Sequence, residues 1–482
     1  LNLINGTFNC ATFTLTVPGK FTQTGGTFHG GTAAISVTSL FTLSAGSFTS
    51  TSGVLTLAST NSIAAGVFAH NNGTVTLTAA AVTIVDGSFY NLNLNGASQV
   101  LTITNNLVVL NTLTFSALVT ANGSPIEARG NIVFTDTTWN GNSKIIVNGT
   151  GTQTFTGGGV CGVTMDVNKA SGVVNLGSNR TFQNTTTDLN LIAGNFNCAT
   201  FTLTLPRNLV ITGGTFNPGT GTVAFTGAAV NIIDGNFYNL TLNASTQVAT
   251  ITNNTVVANT LTFSAIVTLN GSPIEARGNI VFTDTSWNGS SKIIVNGTGT
   301  QTFTGAGVCG VSMDVDKASG SVELGANMTF LGSTRDLNLL SGDFNCNNHT
   351  LTITRNLVVT GGVFNAGTGT VIFTGAAITI DGGDFYNLTF SNSSQVATIT
   401  NIISVSNILN IASVATINGS AIEAKGNITF SDTSRNGTCN IIANGTGDQN
   451  ISGAGDVDLF EINKPSGNLI FNSSVNINVG KW

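Results

Sequence analysis

Short stretches in which hydrophobic and polar residues alternate recur along the whole chain. Five examples from different parts of the sequence are Thr12–Val17, Val54–Leu57, Thr74–Thr78, Thr222–Phe225 and Lys292–Val295. Alternation with a period of two, carried by β-branched and aromatic residues, is typical of β-strands. Pairs such as Asn-Gly, Asp-Gly and Gly-Gly between these stretches predict tight turns. Because no stretch keeps a helical period over several turns, we expect an all-β fold.

A repeat of about 20 residues orders these strands. The tripeptide Gly-x-Phe returns at steps of 20 or 21 residues, and its phenylalanines are Phe8, Phe28, Phe48, Phe68 and Phe89. Two or three strands per repeat predict a β-solenoid (β-helix), in which successive coils stack and share one continuous core. We expect the five phenylalanines to form a stacked internal column, with glycine permitting the tight corner before each of them.

A second, longer repeat covers the chain. The segment Ser124–Val133 returns as Ser272–Val281 and as Ser420–Thr429, and both steps are 148 residues. We therefore predict one continuous solenoid of three superrepeats, at residues 1–187, 188–335 and 336–482. The first superrepeat holds 40 additional residues, which equal two coils. An array of β-sandwiches is the competing architecture, but it predicts units of about 100 residues, and an insertion of whole coils argues against it.

The composition excludes several classes of protein. Only 7% of the residues are charged, against about 25% in ordinary soluble proteins. The hydrophobic residues are scattered, and no apolar run approaches the roughly 18 residues needed to cross a bilayer, so no membrane insertion is expected. The formal net charge of −6 and the thinly spread Lys and Arg offer no surface for phosphates, so nucleic acid is not an expected partner.

The few charged residues mostly follow the 148-residue repeat. Opposite charges two residues apart, on one face of a strand, occur as Glu127 and Arg129, Glu275 and Arg277, and Glu423 and Lys425. A catalytic acid and base are expected once in a chain, whereas these pairs come once per superrepeat. We interpret them as structural ion pairs and predict that the protein is not an enzyme.

The six cysteines permit two interpretations. Cys161 and Cys198 are separated by 37 residues, as are Cys309 and Cys346. One hypothesis joins each pair in a disulfide and leaves Cys10 and Cys439 for contacts between subunits. However, 37 residues are nearly two coils, or roughly 9–10 Å along the stack, which exceeds the Cα separation that a disulfide tolerates. Buried free thiols are the alternative.

No motif for a metal or cofactor is present. The chain has no Cys-x-x-Cys pair, and its three histidines are isolated, so a zinc site is not expected. The glycine-rich runs lack the Gly-Lys-Ser/Thr sequence of phosphate-binding loops, and most turns lack the Asp of calcium-binding solenoids. We expect neither a metal nor a cofactor.

The repeat phase at the two ends predicts self-association. Leu1–Leu3 corresponds to Leu189–Leu191 and Leu337–Leu339, and one further step of 148 residues ends just beyond Trp482. A second copy beginning at Leu1 would continue the stack nearly in phase, and neither end carries an evident polar cap. We expect a head-to-tail homopolymer. The alternative is that capping segments lie outside this sequence.

One set of motifs carries a family resemblance. The segment Gly214–Val223, followed by Phe237–Thr241, returns at 362–371 and at 385–389, with Val363 and Ala366 replacing Thr and Pro. These segments resemble the repeats of large bacterial cell-surface β-helix proteins, and the chain is broadly similar to the solenoids of adhesins and autotransporter passengers. The resemblance implies export, an extracellular or cell-surface location, and a role as stalk, adhesin or filament. It supplies no catalytic residues.

Two classes of function follow from these observations. The first is a secreted structural protein, a β-solenoid subunit that stacks into a filament or surface layer and has itself, surface glycans or other cells as partners. The second is an adhesin stalk, or a β-helix that binds or cleaves carbohydrate. Carbohydrate-cleaving enzymes cluster their acids at one site, whereas the acids here are sparse and repeated.

Overall fold

Every regular element in the described part of the chain is a β-strand. The structure is a computed structural model, and it describes residues 1–59, 62–63, 67–135, 139–283, 287–332, 334–413, 415–431 and 435–477. Within these ranges there is no helix that is long and apolar enough to span a membrane. The chain divides into two compact units, Leu1–Tyr238 (unit 1) and Asn239–Trp482 (unit 2), and each is described by itself.

The strands are short, and most cover two to nine residues. Those that begin in unit 1 are β1 Asn2–Leu3, β2 Thr7–Asn9, β3 Leu15–Val17, β4 Phe21–His29, β5 Ile35–Val37, β6 Phe41–Thr49, β7 Val54–Leu57, β8 Ser62–Ile63, β9 Val67–Ala69, β10 Thr74–Leu77, β11 Ala81–Leu94, β12 Gln99–Phe115, β13 Val119–Gly123, β14 Ile126–Ala128, β15 Asn131–Phe134, β16 Trp139–Gly141, β17 Ile145–Val147, β18 Gln153–Thr156, β19 Val160–Cys161, β20 Met165–Leu176, β21 Arg180–Phe182, β22 Leu189–Asn197, β23 Thr202–Leu205, β24 Leu209–Ile211, β25 Thr215–Asn217, β26 Thr222–Phe225, β27 Ala229–Ile233 and β28 Gly235–Leu242. Those that begin in unit 2 are β29 Gln247–Ile251, β30 Thr255–Phe263, β31 Val267–Gly271, β32 Ile274–Ala276, β33 Asn279–Phe282, β34 Trp287–Val295, β35 Gln301–Thr304, β36 Val308–Leu324, β37 Met328–Phe330, β38 Asp336–Asn345, β39 Thr350–Ile353, β40 Asn356–Val359, β41 Gly362–Asn365, β42 Thr370–Phe373, β43 Ala377–Asp381, β44 Asp384–Phe390, β45 Gln395–Asn401, β46 Ile403–Ile411, β47 Ala415–Gly419, β48 Ile422–Ala424, β49 Asn427–Phe430, β50 Arg435–Asn436, β51 Ile441–Ala443, β52 Gln449–Gly453, β53 Asp456–Val457, β54 Phe460–Ile462, β55 Leu469–Phe471 and β56 Asn476–Ile477.

The strand pairing shows how one coil is built. Strand β12 pairs in parallel with three successive strands, with β13 through Gln99–Ile103, with β14 through Leu107–Val109 and with β15 through Thr112–Phe115. One coil therefore contributes one segment to each of three parallel sheets. Paired residues are mostly about 20 positions apart, as in Asn2 with Thr22. The predicted β-solenoid of about 20-residue coils is confirmed.

The alternation of the sequence places the apolar side chains inside. In β5 the side chains of Ile35 and Val37 are buried, whereas Ser36 between them is partly exposed. Ile35 pairs with Leu55, and Leu55 pairs with Val75, both of which are buried. Each inward residue thus lies above its counterpart in the preceding coil, and the core is continuous within the unit.

The Gly-x-Phe tripeptides place aromatic rings in a column at one corner of unit 1. Successive ring centroids are separated by 5.5, 4.7, 5.6 and 5.2 Å along the series Phe8, Phe28, Phe48, Phe68 and Phe89. Gly46 precedes one of these rings with a φ of +92°, and a Cβ there would lie 2.6 Å from the carbonyl oxygen of Gly26. Positive φ and close backbone packing explain why glycine occupies this corner.

Equivalent residues of successive superrepeats lie in different sheets. In unit 1, seven parallel pairings lead from β7, which contains Leu55, to the Asn195–Asn197 end of β22. The counterpart of Leu55 at the 148-residue offset is instead Leu203, which pairs with Arg180 in a neighbouring sheet. The superrepeat therefore equals seven coils plus one third of a coil, and the pattern moves by one face at each repetition.

Unit 2 shows the same displacement. Seven pairings lead from the Thr260 end of β30 to Ser404. The counterpart of Leu261 is Leu409, at the other end of β46, and it pairs with Ile428 in a different sheet. The surface of each face is therefore not a simple repetition of one motif.

Candidate functional site

A buried lysine is held by oxygen atoms at the corner that follows β20a, the Met165–Val167 segment of β20. The side chain of Lys169 is 1% exposed. Its Nζ donates hydrogen bonds to the carbonyl oxygen of Gly149 and, at 2.6 Å, to Oε1 of Gln153. The amide of Gln153 in turn donates to the carbonyl oxygens of Ala128 and Gly130, at 3.0 and 2.6 Å. The hydrogen bonds of one lysine and one glutamine therefore connect three successive coils.

The same arrangement recurs in unit 2. Nζ of Lys317 donates to Oε1 of Gln301 at 2.6 Å and to the carbonyl oxygen of Gly297 at 2.5 Å. Lys464 contacts Oε1 of Gln449 at 2.7 Å, but its side chain is only half-buried. Burial lowers the pKa of Lys169 and of Lys317. The ammonium groups of Lys169 and Lys317 are enclosed and donate hydrogen bonds to oxygen acceptors. We therefore infer that these Lys–Gln hydrogen bonds hold neighbouring coils together.

The Glu-x-Arg/Lys motifs place opposite charges beside each other on the surface. The distances are 3.0 Å between Glu127 and Arg129, 3.0 Å between Glu275 and Arg277, and 3.9 Å between Glu423 and Lys425. A hydrogen bond from Asn296 outweighs partial burial and, together with Arg277, lowers the pKa of Glu275. For Glu127, burial opposes the shift, but Asn148 and Arg129 together lower the pKa. The carboxylates of Glu127 and Glu275 are hydrogen-bond acceptors with lowered pKa values, and a general acid would need the opposite shift.

Ion pairs between coils were not predicted from the sequence. Lys144 lies 2.6 Å from Asp166, and Lys292 lies 2.5 Å from Asp314. The two partners are 22 residues apart in each case, which is about one coil, so they lie on different strands. The sequence does contain a signal for these ion pairs, because both residues of the pair recur at the 148-residue offset.

Arg180 is a fully buried cation in unit 1. Its guanidinium donates to the carbonyl oxygens of Gly159, Thr156 and Gly157 at 2.6, 2.9 and 2.9 Å. It also lies 4.4 Å from the ring centroid of Phe134. Burial lowers the pKa of Arg180 to about 10. Its counterpart at the 148-residue offset is Met328, which is buried as well.

We expect Arg180→Met to change the free energy of unfolding by less than about 1 kcal/mol, because an apolar side chain in place of a buried cation is often neutral. Arg180→Ala is the control, and the cavity it leaves should cost about 3 kcal/mol. Urea denaturation of both variants measures the difference. Equal losses in the two variants would show that the charge itself stabilises the coil.

The cysteines lie inside the coils. Cys161, Cys198, Cys309 and Cys346, for which two disulfides were one hypothesis, are free, buried thiols in this structure. Burial raises the pKa of the thiols of Cys161, Cys198 and Cys309 to about 12, and raises the pKa of Cys346 as well.

The two cysteines suggested for contacts between subunits are also enclosed. Cys10 is 7% exposed, and Cys439 is 0% exposed. Sγ of Cys439 donates to the carbonyl oxygen of Ser420 at 2.9 Å. The thiol of Cys439 is therefore closed to a partner molecule while the coil is intact.

A polar groove lies on the outer surface of unit 1. It has a volume of about 370 Å³ and is lined by Thr74, Asn91, Leu92, Asn93, Asn111, Thr112 and Thr114. Its lining contains no ionisable side chain, so the groove offers hydrogen bonding without acid–base chemistry. Within the described ranges, no three His, Cys, Asp or Glu side chains lie close enough together to hold a metal ion.

Comparison with known proteins gives no relative for this chain. No protein-family model matches it, and neither does any curated protein or solved structure. Its assignment to the β-solenoids therefore rests on its own strand pairing.

Proposed function

We propose that this protein is a structural component of an extracellular or cell-surface assembly, in which β-solenoid subunits stack end to end. The observation that carries the proposal is that charged side chains join neighbouring coils. Lys169 and Lys317 donate hydrogen bonds to neighbouring coils, and Lys144 and Lys292 form ion pairs between coils. An enzyme would concentrate such charged side chains at one site. Here they are distributed along the chain and join neighbouring coils.

End-to-end addition is supported by the interchangeable contacts between coils. In unit 1, Leu203 and Leu205 pair with Val223 and Phe225. In unit 2, the counterparts Leu351 and Ile353 pair with Val371 and Phe373 in the same register. One coil surface is therefore complementary to the equivalent surface of another repeat. A second molecule can use the same complementarity, which is the requirement for a heterologous, non-closing contact.

The extracellular location is proposed from the resemblance to bacterial surface solenoids, and an adhesin stalk is compatible with the same fold. The weakly charged surface, with only 7% charged residues in the chain, limits charge repulsion between neighbouring molecules.

Electron microscopy and sedimentation of the purified chain over a range of concentrations test the assembly. We expect particles that lengthen as the concentration rises, without a change in their width. Particles of constant length and mass at every concentration would refute end-to-end stacking. A release assay on mixed polysaccharides tests the enzymatic alternative, and production of reducing sugar would contradict a purely structural role.

A further inference from the structure

The polar groove of unit 1 runs along the direction in which coils stack. Asn91 pairs with Thr74 of the preceding coil and with Thr112 of the following coil. A second outward column, two residues further along each strand, contains Asn93 and Thr114. The groove therefore consists of two parallel columns of amide and hydroxyl groups, and successive groups in a column are about 4.8 Å apart.

Internal hydrogen bonds fix the orientation of these amides. Nδ2 of Asn111 donates to Oδ1 of Asn91 at 2.7 Å, and Nδ2 of Asn91 donates to Oγ1 of Thr74 at 3.3 Å. Oδ1 of Asn93 accepts a hydrogen bond from Ser116 at 2.7 Å. This pattern leaves Oδ1 of Asn111 as an acceptor and Nδ2 of Asn93 as a donor for a ligand. The groups are held in place before any ligand arrives, which reduces the entropy cost of binding.

The chemistry of the lining selects the ligand. Amides and hydroxyls provide both donors and acceptors, and they match a neutral molecule rich in hydroxyl groups. A phosphate or carboxylate ligand would lack a cation in this lining. The spacing of about 4.8 Å between coils is close to the length of one sugar unit in an extended polysaccharide. We propose that the groove binds a segment of a neutral, linear polysaccharide, with one sugar unit per coil.

The third superrepeat supplies a natural comparison within unit 2. Asn387 and Asn407 form the equivalent hydrogen bond at 2.8 Å, and Asn387 contacts Thr370 at 3.3 Å. However, the counterpart of Thr112 is Ile408, whose side chain is 38% exposed. An apolar residue interrupts the polar column there. The third superrepeat is therefore not expected to share the site, and the inference does not depend on end-to-end assembly.

The test is titration calorimetry of the full chain with cellohexaose, chitohexaose and xylohexaose, with oligogalacturonate as the charged control. Three variants are compared. Thr112→Ile introduces the side chain of the third superrepeat, Asn91→Ala removes the central amide, and Asn387→Ala is the matched control in unit 2. Circular dichroism verifies that each variant is folded.

We expect saturable binding of at least one neutral hexasaccharide and none of oligogalacturonate. Thr112→Ile and Asn91→Ala should each weaken this binding at least tenfold, and Asn387→Ala should leave it unchanged. Absence of binding by all three neutral hexasaccharides would overturn the proposal. Binding that survives both groove variants, or that is lost in Asn387→Ala, would also overturn it, because the sugar would then bind elsewhere.

Discussion

Raising the pH from 9 to 12 is expected to lower the free energy of unfolding steeply, because the buried thiols resist ionisation. Burial raises the pKa of Cys161, Cys198 and Cys309 from 9.0 to about 12. Below pH 9 the thiols are protonated in both states, and their contribution to stability is constant. Between pH 9 and 12 the unfolded chain loses protons that the folded chain retains, so stability falls by up to about 1.4 kcal/mol per pH unit for each thiol.

The thiol contribution is isolated with a variant in which these three cysteines are replaced by valine. Valine has a similar size and does not ionise. Lys169, Lys317 and Arg180, whose pKa values are lowered by burial, contribute in the opposite direction, but they are present in both proteins. In urea denaturation in reductant at several pH values, the stability of the natural chain should fall relative to that of the variant as the pH rises above 9. A difference in the free energy of unfolding that stays constant from pH 8 to pH 12 would contradict the prediction.

Gln153→Leu is expected to cost about 3–5 kcal/mol, because it removes an acceptor from an enclosed ammonium group. Lys169 would keep only the carbonyl oxygen of Gly149, and the carbonyl oxygens of Ala128 and Gly130 would lose the hydrogen bond from the Gln153 amide. Urea denaturation at neutral pH measures the loss.

Two further variants separate the buried charge from the lost amide bonds. Gln449→Leu is the matched control, because Lys464 is half-buried and its ammonium group is accessible to water. Its cost should be about 1–2 kcal/mol. The double variant Gln153→Leu/Lys169→Met should recover stability relative to Gln153→Leu, because no charge remains buried. Equal costs at both glutamines, together with no recovery in the double variant, would show that the charge is unimportant.

The coil was predictable because its signal is local. The Gly-x-Phe spacing reports the length of one turn, and alternation reports which side chains point inward. These two facts predict the column from Phe8 to Phe89 without knowledge of the strand pairing. The 148-residue offset did not predict that equivalent residues occupy different faces. The number of strands in a superrepeat follows only from the register of the strand pairing.

The Lys–Gln hydrogen bonds between coils were harder to predict from the sequence. Gln153 and Lys169 are 16 residues apart, which is neither a strand period nor one full coil. Lysine is usually exposed, and nothing in the segment Lys169–Gly172 marks its side chain as enclosed. The groove residues also resemble ordinary outward strand residues until the pairing of Thr74, Asn91 and Thr112 brings them into one column.

The displacement by one face per superrepeat constrains how such a chain can change its length. Within a unit, gaining or losing one copy by recombination would carry every later surface motif to another side of the solenoid. Gaining or losing two whole coils, as in the 40 additional residues of the first superrepeat, would leave those sides unchanged. Natural length variants that must keep a binding side aligned should therefore differ by complete coils.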